Sequence, residues 1–299
     1  MLTAELEVLT HTPGLVLALV LGLLWGSFAN VCIYRWPPSD DFPQGRSVVS
    51  PGSHCSSCQA PVRWYDNVPV LSYLWLRGRC RSCKTEFSSR YLVVEAATAM
   101  LFGAAWWFTL GTGGSFQPLD VRALWFVVDA AFVFTMVVIT FIDIDHKLIL
   151  NKVTVPAMIL GYAVTFALPG YHWWDGLIGA ALGYGVPWLI GEIYFRITKR
   201  EGLGLGDSTL LAVVGSLLGW RGVVVALFGG SVIGSVIGIM VLLVKRSNDE
   251  ADEVDEASPE SAPEAASIMR TELPFGPFLA MAAVFYLFAA PWIDLHFRL

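Results

Sequence analysis

Hydrophobic positions along this chain fall into long unbroken runs, not into alternating or heptad patterns. A run of about 20 apolar residues is long enough to cross a bilayer as a helix. Such runs lie at 13–34, 92–110, 121–143, 153–169, 175–196, 208–219, 222–244 and 273–295. The sixth is short, and the fourth carries Pro156 near its start. The pattern predicts an all-α polytopic membrane protein of about eight transmembrane helices, or seven if 208–244 inserts differently. Polar positions gather in two stretches, 35–91 and 247–270. The expected organisation is a first transmembrane helix in 1–34, a small cytoplasmic four-cysteine domain in 35–91 and a transmembrane core in 92–246. An acidic disordered linker in 247–270 and a last transmembrane helix in 271–299 complete it.

Composition agrees with this pattern. Hydrophobic residues make up 55% of the 299 residues, charged residues 15%, and mean hydropathy is +0.60. A soluble domain carries about 25% charged residues, so a globular surface could not be covered here. The net charge of −6 is local in origin: eight acids and no bases lie between Asp249 and Glu264. That segment is rich in Asp, Glu, Ala, Ser and Pro, with little to bury, and reads as a solvated cytoplasmic spacer. The remaining +2 suggests no nucleic-acid partner.

Basic residues set the orientation. Arg35, Arg46, Arg63, Arg77, Arg79, Arg81, Lys84 and Arg90 crowd the first long loop. Lys147 and Lys152, then Arg196, Lys199 and Arg200, then Lys245 and Arg246 fall on the same side if there are eight spans. The other side carries Arg122, Arg221 and Arg298. Both termini are therefore expected outside and the long loop in the cytoplasm. Residues 1–12 lack a basic n-region, and the following apolar stretch has no clear cleavage pattern, so no cleavable signal peptide is expected. No internal repeat suggests a transporter of inverted halves.

Cys55-x2-Cys58 and Cys80-x2-Cys83, 21 residues apart, have the spacing of two knuckles that close one tetrahedral zinc site. Disulfides are disfavoured in a cytoplasmic loop, and Arg79, Arg81 and Lys84 would offset the charge of four thiolates. With no open coordination position, such a metal is structural. His54 is expected at the surface and Cys32 in packing.

Ionisable residues within spans are functional candidates. They are Glu95, Asp129, Asp143, Asp145, Glu192 and Asp207. Glu95 can be read as a helix cap, and Asp129 and Glu192 as hydrogen-bonding inside the bundle. Asp143 and Asp145, two apart on a helix, face roughly opposite ways, so a partner for Asp143 must come from another helix. Asp207 is the best candidate. It follows Gly204 and Gly206 just before an apolar span, where glycine permits close approach of neighbouring chains. Two aspartates face to face cannot both ionise comfortably, so one keeps a proton while the other activates water, the aspartic-protease arrangement. A proton or ion path in a transporter is the rival reading of the same carboxylates.

Several motifs occur in an order that resembles the bacterial prepilin peptidases, a family of GxGD-type intramembrane aspartic proteases also called type 4 prepilin leader peptidases. Gly26 to Arg35 resembles the family's GSFLNVVIYR, Asp66 to Ser72 its DNIPVLS, and Ser88 to Glu95 its SxRYPxVE run. Both cysteine knuckles match, and Pro274 to Leu279 resembles its FGPFL. The resemblance implies that Asp143 and Asp207 are the catalytic pair, and that Glu201 is the acidic residue upstream of GxGD, with Gly204 and Gly206 in support. It also implies residence in the bacterial inner membrane with the active site facing the cytoplasm. The reaction implied is removal of the leader from type IV prepilins or type II secretion pseudopilins. Members with the four-cysteine domain are also N-methyltransferases that use S-adenosylmethionine, whose binding residues the sequence leaves unassigned. Three positions depart from the family pattern: Leu92, Leu150 with Asn151, and Thr209, which stand in place of Pro, Pro-Asp and Lys. The last two flank the aspartates and bear on substrate positioning. A non-proteolytic transporter or assembly factor is the competing class.

Overall fold

A computed structural model describes residues 12–111, 118–167, 172–199, 204–252 and 274–297, with side chains as far as 243 in the fourth stretch and 290 in the last. The described residues are helical apart from the cysteine domain and short connections, and their only β pairings are three isolated bridges. In chain order the helices are α1 (Thr12–Arg35), α2 (Leu71–Leu76), α3 (Arg90–Trp106) and α4 (Leu119–His146). They are followed by α5 (Asn151–Val164), α6 (Trp173–Thr198), α7 (Leu205–Asp252) and α8 (Gly276–Phe297). A π-turn, Trp107–Gly111, extends α3. Its freed carbonyls at Thr109 and Leu110 accept hydrogen bonds from the Arg122 guanidinium.

Among the described residues, five helices are long and apolar enough to cross a membrane: Thr12–Arg35, Arg90–Gly111, Leu119–His146, Trp173–Thr198 and Leu205–Leu243. The sixth and seventh expected spans are the two arms of α7, which break at Gly219 (φ 68°, ψ −173°). Only glycine enters that region freely, so Gly219 permits the break between the two arms. A Cβ at Gly222 would meet Tyr286 of α8 and one at Gly234 would meet Phe278, near the Gly276 end where the first arm starts. The second arm therefore runs back toward that end. The fourth expected span, 153–169, is the 14-residue α5. At 1.5 Å per residue it measures about 21 Å, shorter than a hydrocarbon core of about 30 Å. The backbone of α7 continues as helix to Asp252, six residues into the stretch expected to be a disordered linker. The rest of that acidic segment lies outside the described residues.

Two close-packed helix pairs organise the bundle: α1 lies along α3, and α6 along α7. Small residues make the second approach possible. A Cβ at Gly179 of α6 would lie 2.2 Å from the Gly215 carbonyl oxygen of α7, and one at Gly183 would lie 2.2 Å from that of Leu211. In lipid, where apolar helices gain nothing by leaving solvent, such backbone proximity supplies the packing. The main core joins Phe132, Met136 and Ile139 of α4, Leu210, Val214 and Leu217 of α7, and Leu279 and Ala283 of α8. This core brings the end of α4 and the beginnings of α7 and α8 to one place.

Candidate active site and metal centre

Asp143 lies in the last turn of α4. Lys147, left-handed at φ 50°, ends the helix by donating its N–H to the Asp143 carbonyl at 2.8 Å. The side chain is buried, 6% exposed. Its Oδ2 accepts the backbone N–H of Gly276, at the start of α8, at 3.1 Å. Asp207, half-buried, sits in the first turn of α7, with its N–H on the Gly204 carbonyl at 3.1 Å. The two carboxylates are close enough to interact electrostatically. Ile149 is wedged beside them: Cβ atoms built at Gly206 and Gly276 would lie 3.0 and 3.2 Å from its side chain. Glycine at both positions lets α7 and α8 start against the α4–α5 turn.

The structure brings Asp143, Asp207, Gly204 and Gly206 together; Glu201 lies outside the described residues. Asp145 points elsewhere and forms an ion pair with Arg90, whose guanidinium also reaches the Phe141 carbonyl at 3.2 Å. Thr209 turns its hydroxyl back onto the Gly206 carbonyl at 2.8 Å, and Leu150 packs into the core ahead of α5, with Asn151 exposed. Glu95 does not cap α3. Lying more than a turn inside it and buried, it accepts the Val70 N–H at 2.7 Å. Glu192 also departs from expectation, pairing with Arg196 at an exposed edge. Asp129 Oδ1 is buried without a hydrogen-bond partner among the described residues, so that expectation fails for this oxygen.

The contribution of Gly276 is absent from the sequence reading of the site. Its motif is visible, but nothing local announces a hydrogen bond spanning 133 positions.

The two cysteine knuckles are built alike. Cys55 N–H bonds the Ala60 carbonyl and Gln59 N–H returns to the Cys55 carbonyl; Cys80 does the same with Thr85 and Lys84. Gln59 and Lys84 are both left-handed, at φ 59° and 63°. Each tight turn points its two thiols inward. All four Sγ atoms lie within 4.8 Å of one another, with Cys55–Cys83 at 3.7 Å and Cys58–Cys80 at 3.9 Å. A tetrahedral ion with zinc–sulfur bonds of about 2.3 Å needs sulfur–sulfur edges of about 3.8 Å. The donor set therefore suits one metal ion of that size. Hydrogen bonds to Thr85 hold the Cys83 thiol down to about 6, whereas burial and the neighbouring thiols push Cys58 up to about 11. Arg81 is bound to Asp66 in a bidentate pair of 2.5 and 2.8 Å, which holds the Asp66 carboxyl below its usual range, and Arg79 pairs with Glu86. Those two arginines fasten the domain's own loops besides lying near the thiols.

Comparison with known proteins agrees in both halves of the chain. The Bacterial Peptidase A24 N-terminal domain matches residues 20–109, and the Type IV leader peptidase family matches residues 130–239. The chain is similar to the prepilin leader peptidase/N-methyltransferase of Myxococcus xanthus, 32% identical over 93% of this chain and 91% of the relative. It is likewise similar to those of Neisseria gonorrhoeae, 35% identical over 77% and 82%, and Pseudomonas aeruginosa, 30% identical over 91% and 90%. No solved structure matches. Matched across the cysteine domain and the aspartate-bearing helices alike, the chain belongs to the type IV leader peptidase family.

Proposed function

We propose that this protein is a membrane aspartic endopeptidase that removes the leader of type IV prepilins or type II secretion pseudopilins and N-methylates the new N-terminus. One observation carries the peptidase reading: a buried carboxylate on α4 and a half-buried one on α7 meet at the end of the bundle, tied in by the first amide of α8. Asp143 and Asp207 share one proton between them. The ionised partner takes a proton from water as its oxygen attacks the scissile carbonyl carbon. The protonated partner donates to the carbonyl oxygen, giving a neutral tetrahedral diol. Collapse of the diol breaks the C–N bond as the dyad gives its proton to the amine nitrogen and takes one back from a diol hydroxyl, which restores the shared proton. The Gly276 amide fixes the Asp143 oxygen and leaves its other oxygen for water.

Cys55, Cys58, Cys80 and Cys83 hold one structural zinc, which fastens the cysteine domain. Methyl transfer uses S-adenosylmethionine: the neutral amine gains the methyl, the donor leaves as S-adenosylhomocysteine, and the amine proton passes to solvent. The excess of basic residues in 35–91 supports a site facing the cytoplasm of a multi-pass inner-membrane protein. It meets the junction where a prepilin's basic leader gives way to its apolar membrane helix. A transporter or assembly factor is not favoured, since relatives named as peptidases match most of the chain. Co-expression with a prepilin, followed by the mass of its N-terminus, tests the reading. A shortened chain 14 Da heavier than its unmethylated product is expected; an intact leader contradicts it.

A further inference from the structure

Between the cysteine domain and the ends of α1 and α3 lies a cavity of about 300 Å³, at the lower end of the range for small-molecule sites. We infer that this cavity binds the methyl donor S-adenosylmethionine, with Glu95 as the counter-charge to its sulfonium. The inference rests on the methyl-transfer half of the reading above.

The lining supplies what such a ligand requires. Tyr73 and Phe87 offer aromatic surface for a purine, and Asn30 and Asn67 offer amide groups for hydroxyls and ring nitrogens. Glu95 is a buried acid in the wall, 8% exposed, fixed by the Val70 N–H at 2.7 Å. Among the described residues no cation is paired with it, in contrast to Asp66, which is committed to Arg81. A buried carboxylate without an ion-pair partner is costly, and a bound cation would supply the missing charge. The sulfonium of the donor is such a cation, and aromatic faces attract it further.

The position suits sequential reactions. Asn30 donates to the Tyr91 carbonyl at 3.1 Å, and both residues line the cavity. Arg90, next to Tyr91, holds Phe141 and Asp145 on the turn of α4 that carries Asp143. One wall thus links the cavity to the aspartate pair.

Calorimetric titration of the full-length protein in detergent, with S-adenosylmethionine and S-adenosylhomocysteine as separate probes, tests this. Wild-type protein should bind both. Glu95→Gln, whose amide oxygen can still accept the Val70 N–H, should weaken S-adenosylmethionine by at least ~10-fold and the uncharged thioether by less than ~3-fold. Ser27→Phe places a ring in the cavity and should weaken both by at least ~10-fold. Unchanged affinities in both variants would overturn the cavity assignment alone. Absence of binding by wild-type protein would overturn the methyl-transfer reading with it, while prepilin cleavage by the same preparation without donor tests the peptidase half separately.

Discussion

Replacing Gly276 with alanine should disable cleavage without unfolding the protein. The added Cβ would lie 2.5 Å from Asp143 Oδ2 and 3.2 Å from the Ile149 methyl. An ordinary carbon–oxygen contact needs about 3.3 Å, so the carboxylate oxygen must retreat by roughly 0.8 Å. What moves is the far end of a side chain, and Gly276 does not occupy the left-handed region that alanine avoids. The stability cost is therefore small. The same retreat stretches the 3.1 Å bond from the Gly276 N–H beyond useful length. Losing a hydrogen bond to a charged group costs about 1.5–3 kcal/mol. A misplacement near 1 Å in a catalytic group lowers rate by about 100-fold, or ~2.7 kcal/mol. Initial rates with purified prepilin should show kcat down by about that factor and KM changed far less, with the thermal midpoint near that of the wild type. An alanine variant within about threefold of the wild-type kcat would refute the claim that this amide positions Asp143.

Three further outcomes are expected. Purified protein should contain about one zinc, and Cys58→Ser or Cys80→Ser should lower metal content and loosen residues 35–91; metal analysis finding none, with four freely titrating thiols, would contradict the knuckle geometry. Asp145→Asn removes a partly exposed ion pair with Arg90 and should cost about 1 kcal/mol or less in stability while cleavage persists, so abolished cleavage in a folded variant would reassign the dyad. Gly179→Val forces α6 away from the Gly215 carbonyl, a backbone atom that cannot turn aside, and should lower the thermal midpoint through about 1–3 kcal/mol of overpacking; an unchanged midpoint would show that the two helices are not held at this crossing.

The sequence makes the helices legible because lipid demands long apolar runs, and those runs tolerate few interruptions. Asp143 and Asp207 are legible for the same reason: a carboxylate at the end of such a run is expensive and stands out. The cysteine knuckles are legible from spacing, since a two-residue gap presents both thiols to one ion. Less was legible where geometry depends on distant segments. The break at Gly219 between the runs at 208–219 and 222–244 is visible in the sequence, but the packing of the second arm back along α8 is not. Glu95 reads as a cap from its place near a helix start, but its partner Val70 comes from the cysteine domain. Gly276 belongs to a visible motif, yet its hold on Asp143 exists only after α4 and α8 pack together.

The central claim is that Asp143 and Asp207 act as one acid–base unit, and cleavage by single asparagine variants tests it most directly. Each variant should be purified in amounts and with a thermal midpoint close to the wild type, then incubated with purified prepilin, and the N-terminus weighed. Asn at either position keeps the side chain's size but removes the acid–base function, so neither half of proton exchange can be completed. The account predicts that both Asp143→Asn and Asp207→Asn leave the leader intact; robust cleavage by either variant would contradict it.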